Sequence, residues 1–425
     1  MLQTEKQEVK TLSNILDRFL KYTNICTTSD ESSETFPSSP FQLAFGEALA
    51  EECKALGLTD VKQDKYGYVS AYLPSNVKED SPTICFISHM DTSPDASGFN
   101  VRPVITENYD GSPIPLKGAV LDPAEFPALK DHIGQTIISS DGTTLLGADD
   151  KAGIAEIMTA VEDIIKYDMP HCNIRVLFTP DEEIGKGVDF LNVKELGATF
   201  GYTMDGGALG ELEYENFNAA SAEITIKGKS VHPGTAKGVM KNAALIAAEF
   251  VSMLPENETP ATTEGYEGFY HLSEISGGVS KAKIYYIIRD FDSDGFEKRK
   301  EFIKDTVDRI NEKYGNVAEC EIREQYRNMH EVIEKNMYII DLDNKSMTDV
   351  SKTHIIQPIR GGTDGARLSF MRLPCPNIFT GGHHFHGPYE FISLQSMETA
   401  VELINKIAEN ALELLWMMGR NTKGV

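Results

Sequence analysis

Apolar residues in this chain recur at two spacings, and each spacing predicts a different element. Leu12, Ile15, Leu16, Phe19 and Leu20 fall three and four apart, which predicts an amphipathic helix over 11–25. The same period marks 41–56 and, most strongly, 150–165, where Ile154, Ile157, Met158, Val161, Ile164 and Ile165 share one face. Between the helices lie short β-branched and aromatic runs: "TICFIS", "IRVLFT", "FGYTM", and later "HIIQPI" and "PNIFT". Short continuous apolar strands alternating with helices predict an α/β fold, a mostly parallel sheet with helices on both faces.

The pattern changes near residue 216. "AEITIKGKS" alternates as a half-exposed strand does, a helix follows over 241–254, then strands over 271–276 and 281–290, a second helix over 296–313, and the alternating "AECEIRE". The order βαββαβ is that of a ferredoxin-like α+β domain. After about residue 327 the α/β pattern returns and ends in a long helix over 393–418. A discontinuous α/β domain, 1–216 with 327–425, interrupted by an insert over 217–326, is the organisation expected. The chain's 425 residues suit that count, since one domain usually takes about 100 to 200.

Charge narrows the classes of partner. With 40 Lys and Arg against 65 Asp and Glu, the formal net charge is −25, which repels nucleic-acid phosphates and anionic lipid. The six cysteines are scattered without a C-x-x-C pair, as expected of reduced thiols in a cytoplasmic protein. No run of about 18 apolar residues occurs, and "MLQTEKQEVKTL" lacks the apolar core of a signal peptide. Neither nucleic acid nor membrane is expected as a partner.

The chemistry collects at strand ends. His89 and Asp91 follow "TICFIS"; Asp149 and Asp150 follow "GTTLLGA" at a helix start; Asp181, Glu182 and Glu183 follow "IRVLFTP"; Asp205 follows "FGYTM"; His383, His384 and His386 follow "PNIFTGG". In open α/β sheets the carboxyl ends of strands gather ligands. Taken singly, an aspartate at a helix start is usually a cap, a Glu-Glu pair a solvated turn, and a histidine among glycines a surface residue. Solvated side chains have no reason to track strand ends together, so the set points to a metal site. Carboxylates with imidazoles and no thiolate suit Zn²⁺, with Mn²⁺ or Co²⁺ as alternatives. Two ions fit better than one, because so many carboxylates around a point need strong positive charge.

The strings "FISHMDTSPD", "TLLGADDKAGIAEIM", "FTPDEEIGKG", "VHPGTAKGVMKNA", "TEGYEGFYHL", "YIIRDFD", "IRGGTDGARLSF" and "PCPNIFTGG" resemble the peptidase T family of tripeptide aminopeptidases, within the dinuclear zinc exopeptidase superfamily. The likeness runs from about residue 12 to the C-terminus. It implies a zinc exopeptidase-like sheet, an inserted lid or dimerisation domain through which a homodimer would form, a tripeptide substrate, and two Zn²⁺ per subunit. His89 and Asp205 would hold one ion, Glu183 and His386 the other, and Asp149 would bridge them. Glu182 would be the general base, Asp91 would hold the second nitrogen of the His89 ring, and His232 would stabilise the oxyanion. Arg289 and Arg360 would grip the peptide carboxylate, with Asn242 as a further substrate contact.

The chain departs from the family in its last histidine loop. His384 stands where relatives carry Asn, and Pro388 where a basic residue is common, so choosing His386 over His383 and His384 rests on aligning "FHG". A dipeptidase, carboxypeptidase or N-acyl amino acid deacylase of the superfamily would share the same cluster. A catalytically silent peptide-binding homologue would have lost a ligand or Glu182, and none is missing here. "GADDKAG" and "IRGGTDG" fit neither nucleotide-binding glycine pattern.

Overall fold

The computed structural model describes residues 15–78 and 80–414. The chain divides into two compact units, one taking in the chain up to Tyr214, Glu331–Gln357 and the chain from Thr363, the other Glu215–His330 with Pro358–Gly362. The hydropathy pattern assigns Pro358–Gly362 to the α/β domain. In the structure Ile359 bridges to Asn216, and the Arg360 side chain bonds the 263–267 loop, which ties this segment to the second unit.

The first unit is built on an eight-stranded sheet. Its strands are β1 (Thr59–Gln63), β2 (Val69–Leu73), β3 (Thr83–His89), β4 (Asn173–Thr179), β5 (Phe200–Gly206), β6 (Glu211–Glu213), β7 (Ile355–Ile356) and β8 (Asn377–Phe379), in the order β1-β2-β4-β3-β5-β8-β6-β7. The central four, β4, β3, β5 and β8, run parallel, with His89 opposite Thr179 and Thr203 opposite Asn377. Their carboxyl ends therefore leave the sheet on one edge. Side chains alternate across β3: Cys85 and Ile87 join a core with Leu368 and Leu373, while Ser88 reaches the helix Ala148–Tyr167 on the other face. That helix lies close against β5, because a Cβ on Gly153 would meet the Met204 carbonyl oxygen at 2.3 Å. Cys53, Cys85, Cys172 and Cys375 are buried free thiols.

In the second unit the strands Asn218–Lys227, Phe269–Gly277, Lys281–Asp290 and Ala318–Tyr326 form an antiparallel sheet in which the first and third lie at the centre. With helices Ala243–Ser252 and Ser293–Tyr314 this is the ferredoxin-like arrangement. Ile224, Ile284 and Ile288 of the sheet meet Phe250, Ile303 and Ile310 of the helices in one core.

Boundaries shift where caps act. The second helix begins at Ser293 rather than 296, because the Asp292 carboxylate accepts the Gly295 amide at 2.7 Å. Asn242 caps the preceding helix, which spans Ala243–Ser252 rather than 241–254. The last helix is Leu394–Asn410 followed by a 3-10 turn at Ala411–Glu413, and the expected continuation past 414 lies outside the described residues, as does 11–14 of the first helix, which is helical over 15–23. "HIIQPI" is no core strand: Ile355 and Ile356 form an edge pair with Glu211 and Leu212, both isoleucines exposed. No helix among the described residues is long and apolar enough to cross a membrane.

Phe86 is fully buried on β3 against Tyr202. Phe86→Ala is expected to lower unfolding free energy by about 3–5 kcal/mol, read from the urea midpoint at unchanged slope.

Candidate metal centre

His89 closes β3 with its ring 2% exposed. Its Nδ1 lies 3.0 Å from the Asp91 carbonyl oxygen. A carbonyl can only accept, so Nδ1 carries a hydrogen, and Nε2 is the ring nitrogen open to an ion. Nε2 faces two carboxylates, Asp149 Oδ1 at 2.8 Å and Asp205 Oδ1 at 3.5 Å. The other Asp149 oxygen, Oδ2, lies 3.1 Å from His386 Nε2, which is itself 3.0 Å from Glu183 Oε2. One carboxylate thus stands between two imidazoles, each with a further carboxylate behind it. Glu182 belongs to the same cluster, since ligand atoms of His89, Glu182 and Asp205 lie within 4.8 Å of one another, as do those of His89, Asp149 and Glu183.

The loops that present these groups are held by other carboxylates. Asp91 is fully buried, and its two oxygens accept the amides of Glu182 (3.0 Å) and Glu183 (3.1 Å). The sequence leads one to expect its carboxylate on the His89 ring. The nearer partner of Nδ1 is the Asp91 main chain, with the carboxylate at 3.4 Å, because the amides of Glu182 and Glu183 claim that carboxylate. Asp150 Oδ2 accepts the His89 amide at 3.1 Å, Asp181 accepts Ser38 N and Gln42 Nε2 at 2.6 and 2.7 Å, and Glu390 accepts the four amides of 146–149, where the helix Ala148–Tyr167 begins. Nothing in the sequence pattern assigns Asp150 or Asp181 a distinct task, and the one signal for Glu390 is a lone acid inside the apolar "YEFIS".

Asp149 and Asp150 do not have helical dihedrals, so regular winding starts after them. Of the three loop histidines, His386 is the one against the carboxylates. His383 Nε2 instead meets His132 Nε2 at 3.0 Å, and the exposed His384 packs its ring on Phe126.

Without an ion the cluster is electrostatically unsettled. Withdrawal from water, then the Asp205 charge, raises the Glu182 carboxyl well above its ordinary value; burial, then Asp149, pushes Glu183 up to about 7. Burial also raises Asp205. Bonds to Asp149 and Glu183 push His386 up to about 11, and although burial opposes it, His89 is raised by Asp149, Asp205 and Asp91. Glu183 Oε1 is buried with no partner. Divalent ions would balance these groups: ring nitrogens and carboxylate oxygens converge on common points, in a donor set of imidazole and carboxylate. The residues fit a metal centre.

The remaining expected site residues lie in the second unit. His232 is exposed, its Nδ1 accepting the Gly234 amide at 3.1 Å, and Asn242 Oδ1 accepts the amides of Ala244 and Leu245. Arg360 donates through Nη1 to the carbonyls of Gly265 and Glu267 and through Nη2 to Thr263, while stacked beside Phe217 and Phe269. Arg289 donates to the Arg360 carbonyl at 3.2 Å, and its Nε has no partner.

Residues 214–318 match the family model described as peptidase dimerisation domain. Over 403 residues, 94% of the chain, it is 57% identical to peptidase T of Caldanaerobacter subterraneus subsp. tengcongensis and 54% to peptidase T of Halothermothrix orenii, covering 98% and 99% of those proteins. Among solved structures, the aminopeptidase PepT of Bacillus cereus superposes with a TM-score of 0.74 at 22% identity, covering 94% of this chain and 98% of that one. A tripeptidase of Staphylococcus aureus gives 0.77 at 23%, covering 95% and 99%. At these identities the structures speak to the fold. A dinuclear metal-binding peptidase of the M20 family from Bacillus subtilis shares it at a TM-score of 0.65 and 14% identity, covering 95% and 99%.

An ion entering this cluster must displace protons, since the ion-free His386 stays protonated up to about 11 and Glu183 up to about 7. Apparent metal affinity should therefore weaken as pH falls from 8 to 6. Calorimetry at pH 7 in buffers of differing ionisation enthalpy should show about one proton or more released per chain, and none released would contradict the cluster as the binding site.

Proposed function

We propose that this chain, which belongs to the peptidase T family and is a tripeptide aminopeptidase, works at a centre of two zinc ions per subunit. The observation that carries this reading is the Asp149 carboxylate set between the His89 and His386 imidazoles, with Glu182 beside them. We assign His89 and Asp205 to one ion, Glu183 and His386 to the other, and Asp149 to both. Mn²⁺ or Co²⁺ would suit the same donors. When bound, such a pair supplies positive charge that polarises the scissile carbonyl and acidifies the attacking water.

The chain's own groups do the rest. Glu182, whose carboxylate lies beside His89 and Asp205, takes the proton of that water and delivers it to the departing amine. Asp91 keeps Glu182 and Glu183 in place through their amides and helps fix the His89 tautomer. From the second unit, His232 would donate to the oxyanion and Asn242, Arg289 and Arg360 would contact the peptide. Arg289, with an unpartnered Nε, is better suited to the peptide carboxylate than Arg360, whose terminal nitrogens are bonded to the 263–267 loop. The match over 214–318 supports a homodimer formed through the second unit, and free cysteines with an acidic surface support a cytoplasmic setting.

Glu182→Gln should keep its metal content and lose about 10²–10⁴-fold in kcat; near-normal turnover would remove it as the base. Among alanine-rich di-, tri- and tetrapeptides, free and N-acetylated, the free tripeptide should be cleaved fastest. Cleavage of the acetylated tripeptide would defeat the aminopeptidase reading.

A further inference from the structure

We propose that Glu390 is a positioning residue for the metal centre: its carboxylate sets the main chain that carries Asp149 and ties that segment to the loop carrying His386. The inference rests on the metal-centre reading above and adds to it a residue outside the ligand set.

Glu390 is 1% exposed and both its oxygens are engaged. Oε2 accepts the amides of Leu146 and Gly147 at 2.6 and 2.9 Å, and Oε1 those of Ala148 and Asp149 at 2.6 and 3.2 Å. Four successive amides turn onto one carboxylate, which the αL conformation of Gly147 (φ 81°) allows. Ordinary helical winding cannot aim Asp149, since its dihedrals (φ −83°, ψ 102°) are not helical. Some other group must fix that backbone, and Glu390 is bonded to it directly.

Glu390 also shares its segment with a ligand. His386 lies four residues upstream, and the Glu390 amide donates to the Gly387 carbonyl at 3.2 Å, closing the turn between them. One short stretch of chain therefore holds Asp149 twice: His386 Nε2 meets its side chain at 3.1 Å and Glu390 bonds its amide. The strand that follows, Phe391–Ser393, pairs with Ile137–Ser139 and anchors the stretch in the fold. With two amides on each oxygen, Glu390 acts on the ions only through Asp149 and His386.

The chemistry dictates the substitutions. Glu390→Gln keeps the size but turns an NH₂ toward two amide donors, and Glu390→Asp keeps the charge but is one methylene short. Each full-length variant, stripped of metal and titrated with zinc against a chromophoric chelator, should bind about 10–100-fold more weakly than wild type. At saturating zinc, kcat for a tripeptide should fall about 10-fold or more while KM changes little. A folded variant with wild-type zinc affinity and kcat overturns the proposal, even if its melting temperature drops, because that marks a stability role alone. Should neither variant fold, hydrogen exchange of the wild-type amides at 146–149 decides: slow exchange in the metal-free protein supports the clamp, and exchange at the rate of open chain overturns it. Failure of wild type to bind any divalent ion would refute the metal-centre reading instead, which separates the two outcomes.

Discussion

Everything around the candidate site answers one electrostatic constraint: several carboxylates and two imidazoles are drawn from water to one edge of a sheet, where their charges must be balanced. Asp149 carries the most of this, with one oxygen on each imidazole. Like charges so close cannot all stay ionised without compensation. The raised carboxyls of Glu182, Glu183 and Asp205, with the raised imidazoles, mark a cluster whose charge calls for cations. Such a cluster is costly to assemble from side chains alone, and bound cations would offset that cost.

Rigidity comes from a second group of acids that bond main chain. Asp91 takes the amides of the Glu182–Glu183 loop, Asp150 that of His89, Asp181 that of Ser38, and Glu390 those where the long helix begins. Each satisfies a donor that the end of a strand or helix leaves open. Buried acids thus serve two purposes here: Asp149, Glu182, Glu183 and Asp205 gather charge, and the others hold the loops that carry them. A parallel sheet supplies the common edge, and close approach at Gly153 sets the helix bearing Asp149 against the strand bearing Asp205.

The second unit has its own logic. Its sheet buries one face under two helices, and its tie to Pro358–Gly362 runs through Arg360, whose guanidinium is stacked on aromatics and bonded to loop carbonyls. An arginine so engaged organises the 263–267 loop first. Asn242 likewise caps a helix with the oxygen a substrate contact would use.

Much of this was legible in one dimension. Hydrophobic spacing alone predicts the alternating strands and helices and the βαββαβ insert, because period two and period 3.6 are local consequences of backbone geometry. His89, Glu182, Glu183 and Asp205 could be picked out because chemistry at strand ends leaves a trace in order along the chain. Tertiary structure decided the rest. Which of His383, His384 and His386 faces the carboxylates depends on a loop whose path hydropathy does not encode. That Asp91 serves two amides in a loop some 90 residues away, and that Glu390 holds the backbone at Asp149, are long-range hydrogen bonds. Such bonds depend on where backbone donors end up in space, and no residue pattern records that before the chain has folded.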